Sequence, residues 1–100
     1  METPKCRKGK KKTKETAGVA VILKLLAEEN RLKILCLLQS GERCACQIIK
    51  HLDLPQNLVS HHLNKLKKAG LICGRKEGVW IHYSLTQKGR RVTKAVLKLL

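Results

Sequence analysis

The apolar positions of the chain follow helical spacing as far as residue 69. They predict a strongly apolar helix over residues 17–27 and a second helix over 31–39, with Asn30 as its N-cap. A third helix is predicted to begin near Arg43 or Cys44. The side chains of the second helix that are predicted to face the core are Leu32, Leu35, Cys36 and Leu38.

A fourth helix is predicted between a short turn at residues 53–55 and Gly70, which stops it. Val59, Leu63 and Leu66 recur at i, i+4 and i+7, so they lie on one inward side. The polar side chains that point the other way are Gln56, Asn57, Ser60, His61 and Asn64. Hydrogen-bonding groups of this kind reach base edges in a major groove. The pattern predicts a helix-turn-helix whose second helix reads DNA, and the alternative is an ordinary surface helix.

After Gly70 the apolar period changes from that of a helix to that of a strand. Residues 71–76 and 79–85 flank a turn, and the second run alternates apolar and polar positions, which predicts a β-hairpin. Arg75 and Lys76 are placed at its tip. A basic hairpin that follows a helix-turn-helix forms a wing, placed to touch phosphate or the minor groove.

Thr86 is predicted to cap a last helix over residues 87–100. Its apolar stripe consists of Val92, Ala95, Val96 and Leu99. The domain is closed without this helix, so we predict that it pairs with the apolar helix over 17–27 across a two-fold axis. The predicted fold class is mainly α with a small β-hairpin: a dimeric winged helix-turn-helix whose terminal helices form the dimer interface. Such a dimer presents two recognition helices to a pseudo-palindromic operator in double-stranded DNA.

Composition supports a polyanionic partner. The 100 residues make one small domain, and 22 basic against 7 acidic residues leave a net charge of +15. Lys65 and Lys68 therefore join the predicted DNA contacts. Residues 1–16 are predicted to be a basic disordered arm that tracks phosphates or only adds solubility, and residues 17–100 the DNA-binding and dimerisation domain. No apolar run approaches a membrane span and no signal-peptide pattern is present, so a cytoplasmic protein with no membrane partner is expected.

Five cysteines in such a protein predict free thiols or metal ligands rather than a disulfide framework. Cys44 and Cys46 are two apart and point in nearly opposite directions on a regular helix. They can hold one ion if Cys44 lies at the first turn, where the backbone is not yet helical. A helix N-terminus and the neighbouring Arg43 both favour the thiolate, which is the form that binds soft ions. The alternative is a pair of small buried residues.

The chain resembles the ArsR/SmtB family of metal-sensing winged-helix repressors over roughly residues 17–100. The resemblance is carried by Glu29-Asn30-Arg31-Leu32-Lys33-Ile34-Leu35, Ser60-His61-His62-Leu63, Ala69-Gly70-Leu71, Arg75-Lys76-Glu77-Gly78 and Tyr83-Ser84-Leu85. Arg43-Cys44-Ala45-Cys46 matches the Cys-x-Cys of this family's thiol-type sensors. The resemblance implies a dimeric repressor that leaves its operator when a toxic metal or metalloid binds, and no cofactor is needed for DNA binding.

The resemblance also implies where a third ligand is found. Family members take it three residues further along the same helix, where this chain has Ile49, or from an N-terminal cysteine, for which Cys6 is the candidate. Three thiolates suit As(III) or Sb(III), and also Pb(II), Cd(II) or Hg(II), whereas zinc usually wants four ligands. The family's other site, on the last helix, is excluded because residues 86–100 contain no Asp, Glu or His. Cys36 and Cys73 are predicted to be structural.

Three other functions stay open: a repressor that responds to oxidation of Cys44 and Cys46, a constitutive basic DNA binder with no inducer, and a metal-carrying chaperone. Each predicts a different response, since the first releases DNA on peroxide and the second responds to nothing. An enzyme is not expected, because no nucleophile, base and orienting group occur at an interpretable spacing.

Overall fold

The computed structural model describes residues 9–99, with side chains from residue 15 onward. Cys6 therefore lies outside the described residues. Between residues 9 and 99, five helices and three short strands follow one another. They are α1 (Gly9–Leu26), α2 (Glu29–Leu38), β1 (Arg43–Cys44), α3 (Ala45–Leu52), α4 (Gln56–Lys68), β2 (Ile72–Glu77), β3 (Trp80–Leu85) and α5 (Gln87–Leu97). Within residues 9–99, no helix has both the length and the apolar character needed to cross a membrane.

The predicted hairpin is confirmed, and it is part of a larger sheet. β2 and β3 pair antiparallel from Ile72 opposite Leu85 to Glu77 opposite Trp80, and Gly78 begins the turn with φ +64°. β1 adds a third strand on the other side of β3, with Cys44 opposite His82. A strand of two residues is too short to show alternation, so the sequence contains no signal for it.

The core lies between α2, α3, α4 and the base of the sheet. Its most deeply buried side chains are Ile34, Leu35, Ile48, Val59, Leu66, Leu71 and Ile72. Val59, Leu63 and Leu66 are all buried, which confirms the inward side predicted for α4.

Two predictions for α2 are wrong. Cys36 is exposed rather than in the core, and Ile34 is fully buried in its place, because the helix is rotated relative to the predicted face. The N-cap is Glu28, not Asn30: the Glu28 carboxylate accepts a hydrogen bond of 2.7 Å from the backbone N–H of Asn30. A carboxylate at this position is also stabilised by the positive end of the helix dipole.

The terminal helices differ from their predicted extents. α1 begins at Gly9 rather than at residue 17, so residues 9–16 of the predicted arm are helical; they contain no proline, and lysine is a good helix former. α5 begins after Thr86, whose hydroxyl accepts from the Gly89 N–H at 2.9 Å, as predicted. Its inward side includes buried Thr93, whereas Leu99 of the predicted stripe is 84% exposed.

Candidate metal centre and nucleic-acid interface

Cys44 and Cys46 meet at the N-terminus of α3. Cys44 is the N-cap residue, with extended backbone angles of φ −68° and ψ 149°, and Cys46 is the second residue of the helix. This break in helical geometry turns both side chains the same way, and the Cys46 thiol donates a hydrogen bond to Cys44 Sγ at 2.8 Å. The Gln47 side chain accepts from the Cys44 N–H at 2.8 Å and holds the turn in place. The two sulfurs therefore come together at the start of the helix.

The hydrogen bond between the two thiols shifts their pKa values in opposite directions. The hydrogen bond from Cys46 lowers the pKa of Cys44, helped by the backbone N–H groups of Cys46 and Gln47. The same hydrogen bond raises the pKa of Cys46, which has to keep its proton to donate. Arg43 was predicted to favour the thiolate, but its guanidinium bonds Ser40 Oγ and the Glu42 carbonyl, both at 3.0 Å. The hydrogen bond therefore favours loss of the proton from Cys44 before Cys46.

Cys44 is buried, at 7% exposure, while Cys46 is exposed. Cys46 lies in the wall of a cleft of about 390 Å³ between α3, α4 and the hairpin. Its apolar lining includes Ile49, Leu63, Trp80 and Ile81. Two of the predicted DNA-reading residues, Gln56 and Ser60, line the same cleft. Cys46 and these two side chains of α4 therefore border the same space.

Residues 15–99 do not by themselves complete a three-ligand site: no group of three or more His, Cys, Asp or Glu side chains in that part of the chain could hold a metal ion. Cys73 lies on exposed β2, where its sulfur is 3.5 Å from Ser84 Oγ. Cys6, the predicted third thiolate, falls outside the described residues.

The predicted DNA contacts of α4 all lie on one exposed side. They are Gln56, Asn57, Ser60, His61, Asn64, Lys65 and Lys68. Among the hydrogen bonds and ion pairs of residues 15–99, none involves these side chains. They are available to a partner without the loss of an internal bond.

The opposite side of α4 contains a buried histidine. Because His61 and His62 are adjacent, they point to different sides of a helix, and that pattern alone leaves His62 open to packing or to a phosphate contact. His62 is 4% exposed, and its Nδ1 accepts from Arg31 Nε at 3.1 Å. Arg31 also donates to the Leu25 carbonyl at 3.1 Å, and the Glu28 carboxylate lies 4.0 Å from His62 Nε2. Burial lowers the pKa of His62, so the neutral ring is the stable form. This network ties the recognition helix to the junction of α1 and α2.

Arg75 in the wing is held rather than free. Its guanidinium forms a two-point ion pair with Glu42, with Nη2–Oε1 at 2.8 Å and Nε–Oε2 at 3.2 Å, and also contacts Glu77 at 3.3 Å. The hydrogen bond with Arg75 lowers the pKa of Glu42 and raises that of Arg75. Arg75 and Lys76 lie on β2, before the turn, whereas Val79 occupies the tip with 85% exposure. The prediction that both basic residues lie at the tip is therefore wrong: Arg75 lies four residues before Val79, and Lys76 three.

β1 connects the thiol pair to the wing. Cys44 pairs with His82 on β3, and His82 pairs in turn with Arg75 on β2, so the three residues form one row across the sheet. Glu42, two residues before Cys44, provides the ion pair to Arg75. Cys44 is therefore connected to the wing through backbone pairing and through one charged contact.

A recognition helix with free polar side chains, a preceding helix and a basic antiparallel wing define a winged helix-turn-helix DNA-binding domain. Residues 28–73 match the family model described as "Bacterial regulatory protein, arsR family". The chain is 44% identical over 82 residues to an uncharacterized HTH-type transcriptional regulator of Methanocaldococcus jannaschii, covering 80% of this chain and 92% of that protein. The chain belongs to the arsR family of transcriptional regulators, which is not an enzyme family.

A second relative and two solved structures support the same family and fold. The chain is 44% identical over 66 residues to the arsenical resistance operon repressor of Escherichia coli, covering 65% of this chain and 56% of that protein. Among solved structures, reduced HlyU from Vibrio cholerae has a TM-score of 0.81 at 32% identity, covering 91% of this chain and 97% of that one. A homodimeric winged helix-turn-helix domain of Mycobacterium bovis has a TM-score of 0.79 at 30% identity, covering 91% and 85%. These comparisons confirm the family and the winged-helix fold.

Proposed function

We propose that this chain is a homodimeric repressor that releases its DNA operator when a thiophilic ion binds Cys44 and Cys46. As(III) and Sb(III) are the first candidates, and Cd(II), Pb(II) and Hg(II) the next. The observation that carries the proposal is the 2.8 Å contact between the two Sγ atoms at the N-terminus of α3. Soft ions prefer thiolate ligands, and the pair already contains one sulfur whose pKa is lowered.

The third ligand in this proposal is Cys6. Trivalent arsenic and antimony take three sulfur ligands, and residues 15–99 supply two close together. In this proposal Cys6 supplies the third ligand, either from its own subunit or from the partner. The name of the arsenical repressor relative supports this choice of ion.

The DNA-binding surface consists of the exposed side of α4 and the wing. Gln56, Asn57, Ser60, His61 and Asn64 contact bases, and Lys65, Lys68, Arg75 and Lys76 contact phosphates. The net charge of +15 supplies the electrostatic part of the affinity.

The dimer interface is formed by the terminal helices. α1 exposes Val19 and Leu23 on one side and Val21 on another, by 55–64%, and exposed apolar side chains of this kind are ones that a partner covers. The homodimeric relative of the same fold supports a second copy as that partner. Two copies then present two recognition helices to a pseudo-palindromic operator.

DNA release follows if ion binding and DNA binding require different arrangements of the N-terminus of α3 and the wing. An ion shared by Cys44 and Cys46 fixes the N-terminus of α3, which is joined to the wing through β1 and borders Gln56 and Ser60 in the cleft. If that arrangement fits DNA less well than the ion-free one, the ion weakens DNA binding. Coupling of this kind typically changes affinity by about 5- to 150-fold.

The test uses DNA selected from a random-sequence pool by the full chain. Fluorescence anisotropy of that DNA is followed as arsenite is added under reducing conditions. Release is expected for the native chain, while Cys44→Ser and Cys46→Ser should bind DNA normally and no longer release it. Cys73→Ser serves as the matched control and should release DNA like the native chain. Release by both pair variants would show that the inducer acts elsewhere.

A second candidate function is a thiol-redox repressor, which the same 2.8 Å contact favours. A peroxide takes two electrons from the pair, and the two thiol protons leave with the reduced peroxide oxygens as water or alcohol, leaving a disulfide between Cys44 and Cys46. Release by peroxide in the presence of a metal chelator, with no response to arsenite, would favour this function over the first.

A further inference from the structure

The last helix carries a row of cations that neither the thiol pair nor the base-reading side of α4 uses. Residues 78–100 contain no Asp or Glu, so the basic side chains of α5 have no acidic neighbour within that part of the chain. Arg91, Lys94 and Lys98 recur at i, i+3 and i+7, and all three are exposed. They form one outer stripe, called here the α5 stripe, on the side of the helix opposite buried Gly89 and Thr93.

The cations of the α5 stripe are unpaired in the part of the chain that has described side chains. None of the hydrogen bonds and ion pairs of residues 15–99 involves them, whereas Lys33 lies 3.4 Å from Glu29 and Arg75 is paired with Glu42. Like charges three or four positions apart on a helix repel each other and destabilise it. The stripe therefore has a charge that a bound anion would neutralise.

The α5 stripe is separate from the residues proposed to read bases. α5 begins beside the C-terminal end of α4, where Lys88 Nζ donates to the Ala69 carbonyl at 3.3 Å. Gly89 permits this approach, because a Cβ there would overlap the Leu71 carbonyl. The base-reading residues begin with Gln56 at the other end of α4, whose 13 residues span about 20 Å. The stripe is thus a second basic surface rather than a continuation of the first.

We propose that the α5 stripe binds the phosphate backbone of a second DNA duplex, so that one dimer bridges two DNA segments. Its three cations extend over about 10 Å of helix axis, and long basic side chains at such spacing can contact several phosphates of one duplex. Bridging goes beyond the proposed function, because it requires neither the thiol pair nor an inducer.

A duplex fits the stripe better than a single strand does. Proteins that bind single-stranded DNA or RNA stack its bases on aromatic side chains. The chain's only Phe, Trp or Tyr residues are Trp80 and Tyr83, and both lie on β3 rather than on α5. A row of cations without an aromatic neighbour on the same helix matches a backbone whose bases are already stacked and paired.

The stripe is compatible with the proposed dimer. Ala95 and Leu99 are exposed at i and i+4 to one side of the stripe, and Leu99 is 84% exposed, so α5 can offer these apolar side chains to the second copy. Two stripes placed face to face would bring like charges together, which is unfavourable. The stripes of a dimer therefore stay in solvent while α4 and the wing hold the operator.

Bridging is measured by capture of DNA on beads. The duplex selected by the full chain is fixed to beads and loaded with the dimer, free protein is washed away, and a fluorescent duplex of unrelated sequence is added at about 50 mM salt. The native chain should capture this second duplex. The stripe variant, Arg91→Gln with Lys94→Gln and Lys98→Gln, should capture it at least about tenfold more weakly, because three phosphate contacts per subunit are lost.

A matched control removes the same number of charges elsewhere. Lys24→Gln, Lys33→Gln and Lys50→Gln together change three exposed lysines that lie outside the stripe, α4 and the wing. This control variant should capture the second duplex within about twofold of the native chain. Both variants should bind the selected DNA equally well, and urea unfolding checks that both are folded. Single-stranded RNA of the same length, in place of the second duplex, should be captured less.

The outcomes separate this inference from the proposed function. Loss of capture in the stripe variant alone supports the inference. Equal loss in both variants, capture that persists in both, preferential capture of RNA, or weaker binding of the selected DNA by the stripe variant alone would overturn it. A native chain that holds the selected DNA but captures no second duplex would also overturn it and leave the proposed function intact. A chain that binds no selected DNA would overturn both.

Discussion

The recognition helix and the wing, the two regions predicted to touch DNA, are prepared for contact in different ways. On α4 the exposed polar side chains form no bond within residues 15–99, and the helix is held from behind by buried His62. In the wing, Arg75 is already paired with Glu42 and Glu77. In the proposed complex DNA meets free groups on the helix, but it has to compete with two carboxylates for the arginine of the wing.

This difference indicates how the two regions divide the work. Unpaired groups on α4 can contact bases without first breaking an internal bond. A paired arginine suits adjustment, because its availability depends on Glu42, which directly precedes the strand that contains Cys44. The thiol pair is joined by sheet pairing to the adjustable wing and by the cleft to α4.

The largest expected effect concerns the support behind the helix. His62→Ala should lower the free energy of unfolding by about 2–3 kcal/mol, because it opens a cavity and leaves Arg31 without its acceptor. His61→Ala, next to it but exposed, should change it by less than about 0.5 kcal/mol. Urea unfolding measures both. Equal losses would mean that the inner side of α4 is not the anchored one.

The next effect concerns base recognition by the free side of α4. Asn57→Ala should reduce discrimination between selected and mismatched DNA by about 1–3 kcal/mol, measured by competition anisotropy. Lys65→Ala should instead weaken binding to all sequences alike and reduce the slope of log affinity against log salt by about 1. A uniform loss for Asn57→Ala would place this residue on the backbone rather than on a base.

A smaller effect is expected in the wing. Arg75→Ala should weaken DNA binding by about fivefold or less, since the arginine is already paired on the surface. Glu42→Gln should strengthen DNA binding, because it releases Arg75 to phosphate. The two changes act in opposite directions only if the ion pair competes with DNA, so weaker binding for Glu42→Gln would contradict the comparison.

The smallest effect is a pH dependence of stability. The pKa of His62 is lowered by burial in the folded state, so below its ordinary value of 6.5 the unfolded chain binds more protons. Stability should therefore fall as the pH drops from 7.5 to 5.5, and His62→Gln should reduce that fall. The groups around the ring are Glu28, Arg31 and His61, and Glu28 works against the shift. An unchanged pH profile in His62→Gln would show that other groups are responsible.

Local patterns were sufficient to predict α3, α4, the hairpin and the cap of α5, because apolar period and capping residues act over a few positions. The same patterns indicated that Cys44 lies at the N-terminus of α3, because two cysteines that are two positions apart can approach each other there but not within a regular helix. They wrongly predicted that Cys36 faces the core, because the rotation of α2 about its axis depends on the helices and strands that pack against it. They also missed the pairing of Arg75 with Glu42, which lies 33 residues away and depends on β1 joining the sheet.

The helix start at Gly9 shows a different limit. Residues 9–16 have no apolar period, so pattern reading predicted an arm, yet lysine-rich sequence without proline is compatible with a helix. The buried role of His62 was likewise open, since its partner Arg31 is 31 residues away in the chain. The role of His62 is set by a tertiary contact. The start of α1 at Gly9 is set by extension of the helix beyond its apolar part.

The central claim is that Cys44 and Cys46 control how tightly the dimer holds DNA, and it is tested most directly by measuring arsenite affinity with and without bound DNA. Linkage requires the two ligands to affect each other by the same factor. Arsenite should bind the free protein more tightly than the DNA complex, by about 5- to 150-fold and by the factor by which it weakens DNA binding. Equal arsenite affinity in both states would contradict the claim.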